Sequence, residues 1–244
     1  MVIQVMEGLQ VKAFKVLARK NFFREFAFKA LGLLRIKEIA CNILRLSLRF
    51  PPYGKEIQRY MLKGLDPIRN QSIALAIHRI KQEGIPGAFA EAGVFRGDLS
   101  KIIHYLAPER VLYLFDTFEG FPERYLTDRD TRYDATSPEI VFRTIGDKHN
   151  INIKKGLVPD TYKGLENEKF AFVMIDLDLY EPTAASLDFF YPRLSKGGYL
   201  FVHDYNNREW SGVARAVDKF LKKNVECNIV DLPDAMGSIV IRKA

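Results

Sequence analysis

Two apolar segments that each run into acidic residues constrain this chain most. Phe172-Val-Met-Ile reads as a buried strand ending at Asp176-Leu-Asp178, and Tyr199-Leu-Phe-Val ends at His203-Asp204, with Asp204 28 residues past Asp176. The gap between them has room for one helix, as a parallel crossover requires. If the two strands are neighbours in a parallel sheet, Asp176, Asp178, His203 and Asp204 emerge together at its carboxyl edge, where open α/β sheets bind ligands. Such a convergence makes a ready divalent-metal site.

From Pro86 onward the same alternation repeats. Strands are expected at 87–92, 111–116, 151–155, 171–176, 198–203, 226–231 and 237–242, with helices at 98–106, 137–148, 181–193 and 211–223. Ser137-Pro138-Glu139 and Glu181-Pro182-Thr183 look like helix starts. Only Leu232 to Met236 separates the last two strands, so these form an antiparallel hairpin at one edge. The fold class is therefore α/β, a doubly wound, mostly parallel Rossmann-like sheet with an antiparallel edge hairpin. Another helix is expected from Asp66-Pro67 to Glu83, capped by Asp66, with Ile68, Ser72, Leu75 and Ile80 as its apolar stripe.

Glu91-Ala-Gly93-Val94-Phe-Arg-Gly97 follows the first of these strands and opens a helix. Glycines there allow a sharp turn and close approach of a ligand to helix amides, although an ordinary strand-to-helix turn needs them too. Asp116 ends the next strand, 19 residues past Gly97, where nucleotide-binding sheets place an acid that accepts ribose hydroxyls. The spacing is not GxGxxG, which suits a cofactor without a pyrophosphate better than NAD.

The ordered blocks "DPIRNQSIALAI", "GIPGAFAEAGVFRGDLSK", "LFDTFEGFP", "GLVPDTY", "IDLDLYEPTAASLDFFYPRLSKGGYLFVHDYNN" and "GVARAVDKF" together resemble the macrocin O-methyltransferase (TylF/MycF-like) family over about residues 66 to 244. The resemblance implies a class I methyltransferase fold, S-adenosylmethionine as methyl donor, a magnesium ion and a sugar hydroxyl as acceptor. By it Glu91, Gly93, Val94 and Gly97 shape the methionine end of the cofactor pocket, and Asp116 holds the ribose. Thr117 and Phe118 sit beside the ribose, while Lys155 and Gly156 neighbour the adenine.

Methyl transfer to a sugar requires that a weakly acidic hydroxyl lose its proton, and a divalent cation makes a bound oxygen more acidic. Asp176 and Asp204 are the expected ligands. Asp178, on the same face as Asp176 if the strand continues and roughly 7 Å along it, is the expected base. The chain departs here from the commoner acidic pair, since His203 precedes Asp204. An imidazole ligand shifts preference from magnesium towards manganese, zinc or iron; a histidine that only orients Asp204 is the alternative. Magnesium is the first expectation and manganese the second. Asn206 and Asn207 could reach the site, or serve only as turn residues. His78, His104 and His149 are expected to be structural or surface residues. The charged stretch 119–136 reads as a flap over the acceptor, with Tyr125, Arg129 and Tyr133 able to touch a sugar, and Trp210 and Tyr180 as further acceptor contacts. Disorder without function is the alternative for that stretch.

The net charge of +7 has one source: residues 1–50 hold ten Lys/Arg against three acids, and the remainder holds 27 of each. Residues 1–52 are expected to form a basic amphipathic helical extension and 53–244 the methyltransferase domain, with the break at Pro51-Pro52-Tyr53-Gly54. The extension serves as a lid, pairs two subunits of a homodimer, or lies on an anionic membrane. Nucleic acid is not an expected partner, because no recognised binding module accompanies the charge. Cys41 and Cys227 are too few for a disulfide or zinc scaffold, and no apolar run approaches a membrane span. A cytoplasmic enzyme, or one peripheral to the inner face of the membrane, is the expectation. The acceptor is a small molecule or glycan; a phenolic or catechol hydroxyl, or a non-catalytic membrane-associated module, is the competing reading.

Overall fold

The structure is a computed structural model, and it describes Ile57, Tyr60, Met61 and residues 66–121 and 133–244. The chain divides into two units, Met1–Pro51 and Pro52–Ala244. The expected basic helices, the Pro51–Gly54 break, Tyr125 and Arg129 lie outside the described residues.

Seven strands form one sheet in the order β3-β2-β1-β4-β5-β7-β6: β1 (Ala88–Ala92), β2 (Leu112–Asp116), β3 (Ile151–Lys155), β4 (Phe170–Ile175), β5 (Leu194–Val202), β6 (Asn228–Asp231) and β7 (Ile239–Arg242). β3, β2, β1, β4 and β5 pair in parallel, and β7 enters antiparallel between β5 and β6. Every expected strand is present, and the terminal hairpin forms as the short connection dictates.

The strands send alternate side chains to the two covered faces of the sheet, with one irregularity in β4 between Phe170 and Phe172. Phe89, Leu112, Leu114, Phe172, Met174 and Phe201 face the side covered by α1 (Pro67–Gln82), α2 (Asp98–Leu106) and α3 (Pro138–Ile145), through Ile73, Ile77, Ile102, Ile103 and Val141. Ala90, Phe115, Val173, Ile175, Leu200 and Val202 face α4 (Tyr180–Arg193) and α5 (Ser211–Lys223), through Leu187, Phe190, Val213, Val217 and Phe220.

α1 begins where expected, with Asp66 Oδ1 accepting from Arg69 N and Pro67 in the first turn. Its buried stripe is different: Asn70, Ile73, Ala74, Ile77 and Ile80 turn inward, while Ile68 and Leu75 are exposed. The faces of a helix are set by what it packs against, and the sheet takes the 73/77/80 row. α3 stops at Ile145, short of the expected 148, because Gly146 adopts a left-handed φ of 86° that closes the helix.

Candidate functional site

Chain order places β1 and β4 side by side with their continuations running outward in opposite directions, so the sheet's switch point lies between them. One residue beyond the strands, a row of backbone bonds continues the ladder. Gly156 N donates to Asp116 O, Gly93 N to Phe115 O, Asp176 N to Ala92 O and His203 N to Ile175 O, all at 2.8–2.9 Å. The row joins the predicted cofactor residues to the predicted metal residues along a single edge.

On the β1–β2 side, Glu91 is 2% exposed and accepts from Ser100 Oγ at 2.5 Å. Burial raises its carboxyl from 4.5 to about 8, against the lowering effect of the Ser100 bond. A ligand ammonium beside it would offset that desolvation. Gly93 has φ 89°, and a Cβ there would stand 1.8 Å from Asp176 O, so only glycine lets β1 pass the end of β4 so closely. Val94 is buried, and Gly97, φ 79°, opens α2.

Asp116 does more than the sequence suggested. Its Oδ2 accepts from Val94 N and Phe95 N and its Oδ1 from Phe118 N, each at 2.8 Å. Two neighbouring ribose hydroxyls would therefore find a carboxylate already holding three backbone donors. Phe118 packs into the core beneath this turn, and Thr117 Oγ1 donates to Gly120 O at 2.7 Å. Lys155 pairs with Glu119 at 2.7 Å at the neighbouring strand end, next to Gly156.

On the β4–β5 side the expected acids and histidine do meet. His203 Nδ1 stands 3.0 Å from Asp176 Oδ1 and 2.8 Å from Asp204 Oδ2. One ligand atom from each of these three residues lies within 4.8 Å of the others. Asp178 joins them by a route other than the expected one. β4 ends at Ile175, so no strand carries Asp178 onto the Asp176 face; a turn with φ 61° at Asp178 brings its side chain into hydrogen-bonding contact with Asp204. Asn207 Nδ2 donates to Asp204 Oδ1 at 2.6 Å, and Asn206 stays in the turn, its N–H bound to Gly237 O.

The electrostatics divide the acids. Burial works against the Asp176 carboxylate, but the His203 and Arg69 cations beside it lower it to about 2. Burial, the Asp176 charge and the bond with Asp204 raise Asp178 well above the carboxylate range. Burial pulls His203 down, yet Asp176 and Asp204 lift it to about 10. Two acids a few residues apart thus hold opposite protonation preferences, the pattern of a site that moves protons.

Phe95, Phe118, Asp178 and Asp204 are four of the five non-glycine residues with positive φ among those described, and all sit on this edge. Each costs on the order of 1 kcal/mol or more, and such strain persists where the surroundings over-determine it.

Sequence reasoning missed Asp66 and Arg69. Arg69 Nη1 bonds Asp176 Oδ2 at 3.0 Å, and Asp66 Oδ2 lies 3.9 Å from His203 Nε2. The only local signal was a helix cap. Of the residues expected at the acceptor, Tyr133 meets Phe121 edge-on at 5.1 Å and Phe95 at 5.5 Å, and Trp210 lies tilted against Phe121 at 5.5 Å. Tyr180 is taken up by α5, with Arg215 and Lys219 against its ring. His78 and His149 are exposed, and His104 is a buried helix residue paired with Asp147.

A family model described as Macrocin-O-methyltransferase (TylF) matches residues 59–238. Over 156 residues, 56% of the chain, it is 27% identical to the 8-demethyl-8-(2,3-dimethoxy-alpha-L-rhamnosyl)-tetracenomycin-C 4'-O-methyltransferase of Streptomyces olivaceus. It is 29% identical over 147 residues, 51% of the chain, to the mycinamicin III 3''-O-methyltransferase of Micromonospora griseorubida. The matches span 60% and 57% of those relatives' own lengths. The solved structure of the O-methyltransferase NovP superposes with a TM-score of 0.62 at 23% identity, over 72% of this chain and 80% of that one, a likeness of fold.

Proposed function

We propose that this chain, which belongs to the macrocin O-methyltransferase family, transfers a methyl group from S-adenosylmethionine to a sugar hydroxyl of a glycosylated small molecule, with a divalent cation in its acceptor site. The observation that carries the reading is the continuous edge that joins the Glu91–Gly97 turn to the Asp176–His203–Asp204 cluster through Gly93 and Asp176. Relatives named for methylating sugars on natural products support the acceptor class.

S-adenosylmethionine supplies a methyl group already activated on a sulfonium. In this reading Glu91 receives its ammonium end, Gly93 and Gly97 give the backbone room to approach it, and Asp116 shapes the ribose end while offering at most one further acceptor position. Thr117 and Phe118 sit beside the ribose, and Lys155 and Gly156 neighbour the adenine. The donor set fits a divalent cation: two carboxylates and one imidazole converge, and among the described residues His203 Nε2 is buried without a hydrogen-bond partner. Asp176, Asp204 and His203 would hold the ion, which when bound makes a coordinated hydroxyl more acidic. The nitrogen donor favours manganese or another transition ion more than an all-oxygen site would. Asp178 is the group placed to take the acceptor proton: burial and the neighbouring carboxylates raise its proton affinity, and a cation bound beside it would favour the carboxylate form that can act as base. Asn207 steadies Asp204. Phe121, Tyr133 and Trp210 line the acceptor side, where aromatic rings suit the C–H faces of a sugar.

The test is transfer of labelled methyl from S-adenosylmethionine to a panel of deoxysugar glycosides and catechols, with manganese, magnesium or a chelator. Methylation of a glycoside that is abolished by chelator and restored by magnesium or manganese is the expected result. Methylation of catechols alone would replace the acceptor class, and transfer undiminished by chelator would remove the cation.

A further inference from the structure

We infer that Arg69 is a built-in counter-cation of the candidate metal site, fixed by the fold so that it holds divalent-ion affinity down. The inference rests on the proposed placement of a cation at Asp176, His203 and Asp204.

Arg69 stands in the first turn of α1, outside every motif that marks the carboxyl edge. Its backbone N–H is bound by Asp66 Oδ1 at 3.0 Å, and Asp66 Oδ2 accepts from Ala235 N at 3.2 Å. The start of α1 is thereby tied to the β6–β7 connection, and the side chain reaches the end of β4 from a fixed base. There Nη1 meets Asp176 Oδ2 at 3.0 Å, with the arginine side chain 18% exposed. The other oxygen of Asp176 faces His203. Both oxygens of the first expected metal ligand are therefore engaged by positively charged or donor groups.

The two engagements differ in kind. The imidazole can give up its proton and become a donor to a metal; a guanidinium cannot be deprotonated in a protein. An ion at the cluster must share Asp176 with a permanent positive charge a few ångströms away or push it aside. Between partly buried charges at such distances the repulsion is only weakly screened by solvent and salt. The contact is also releasable. Among the described residues a single Nη1 bond holds the group and the buried Nε has no hydrogen-bond partner, so the fork is not locked bidentately as in strong arginine–carboxylate pairs.

Arg69 is thus a positioning residue for Asp176 and a brake on the cation. Asp66 caps α1 through the main-chain N–H of residue 69, so substituting the side chain leaves that cap in place.

The test is titration of the full chain with manganese alone, reading free Mn(II) by electron paramagnetic resonance, for the natural protein and Arg69→Met, Arg69→Gln, Arg69→Lys and Asp204→Asn. Either charge-removing variant keeps the test open if the other fails to fold. Affinity at least about tenfold tighter in Arg69→Met or Arg69→Gln is expected, with Arg69→Lys close to the natural protein and Asp204→Asn much weaker. Unchanged or weaker binding in the charge-removing variants, with binding still lost in Asp204→Asn, would overturn the role of Arg69 and leave the metal site standing. Binding that is absent throughout, or indifferent to Asp204→Asn, would overturn both.

Discussion

Glu91 shows what single residues contribute here. A carboxyl that is 2% exposed and holds its proton up to about pH 8 is a poor stabiliser of the empty protein. Its unfolded counterpart releases the proton near 4.5. Between those values the folded state binds more protons, so raising the pH through this window favours unfolding. Glu91→Gln, which keeps an acceptor for Ser100 and removes the titration, should gain stability relative to the natural chain by about 2–4 kcal/mol between pH 5 and pH 8. Urea unfolding of both proteins at the two pH values measures this. Parallel behaviour of the two would mean that Glu91 is ionised in the fold.

Residue-level chemistry was partly legible in the sequence. Asp176, His203 and Asp204 could be paired because each follows a buried run whose length fixes where it ends. Asp178 was placed near the site for an incomplete reason: a strand end is a hydrogen-bonding event, and the left-handed turn that carries Asp178 to Asp204 leaves no mark in residue spacing. Arg69 was illegible. It lies 107 positions from Asp176, and only the packing of α1 over the sheet brings the two together.

At the scale of elements, the turn after β1 and the end of β2 act as one unit because Asp116 binds both. Val94, Phe95 and Phe118 give it their N–H groups, two of them from residues with positive φ. An acid that served only a ribose would cost cofactor affinity when removed and leave the fold untouched. Asp116→Ala should instead lose about 1–3 kcal/mol of folding stability before any ligand is added, since three donors lose their acceptor. Chemical denaturation without ligand decides it, and an unchanged midpoint would contradict the clamp. The elements themselves were readable from alternation and caps: Ser137 accepts from Ile140 N, and Asp66 from Arg69 N. The inward face of α1 was not, because Ile68 and Leu75 offer an apolar row as good as Ile73 and Ile77 until the sheet selects one.

For the whole molecule, the order β3-β2-β1-β4-β5-β7-β6 explains why the proposed cofactor and acceptor residues share an edge. The crossover from β3 to β4 returns the chain to the sheet's centre, opens the switch point beside Gly93, and sets Asp176 between the Glu91 turn and His203. Strand alternation made the class of fold plain, and the terminal hairpin followed from a connection too short for a crossover. Among the described residues no helix is long and apolar enough to cross a membrane. What the topology supplies is a place; the family supplies the proposed reaction, and the two meet at Gly93 and Asp176.

The most direct test of that meeting is calorimetric titration of S-adenosylmethionine into the full chain, repeated with manganese and with Asp176→Ala. The account predicts saturable binding to the natural protein, and retention of cofactor binding with loss of the manganese effect in Asp176→Ala. A well-folded protein that binds no S-adenosylmethionine with or without manganese would contradict it.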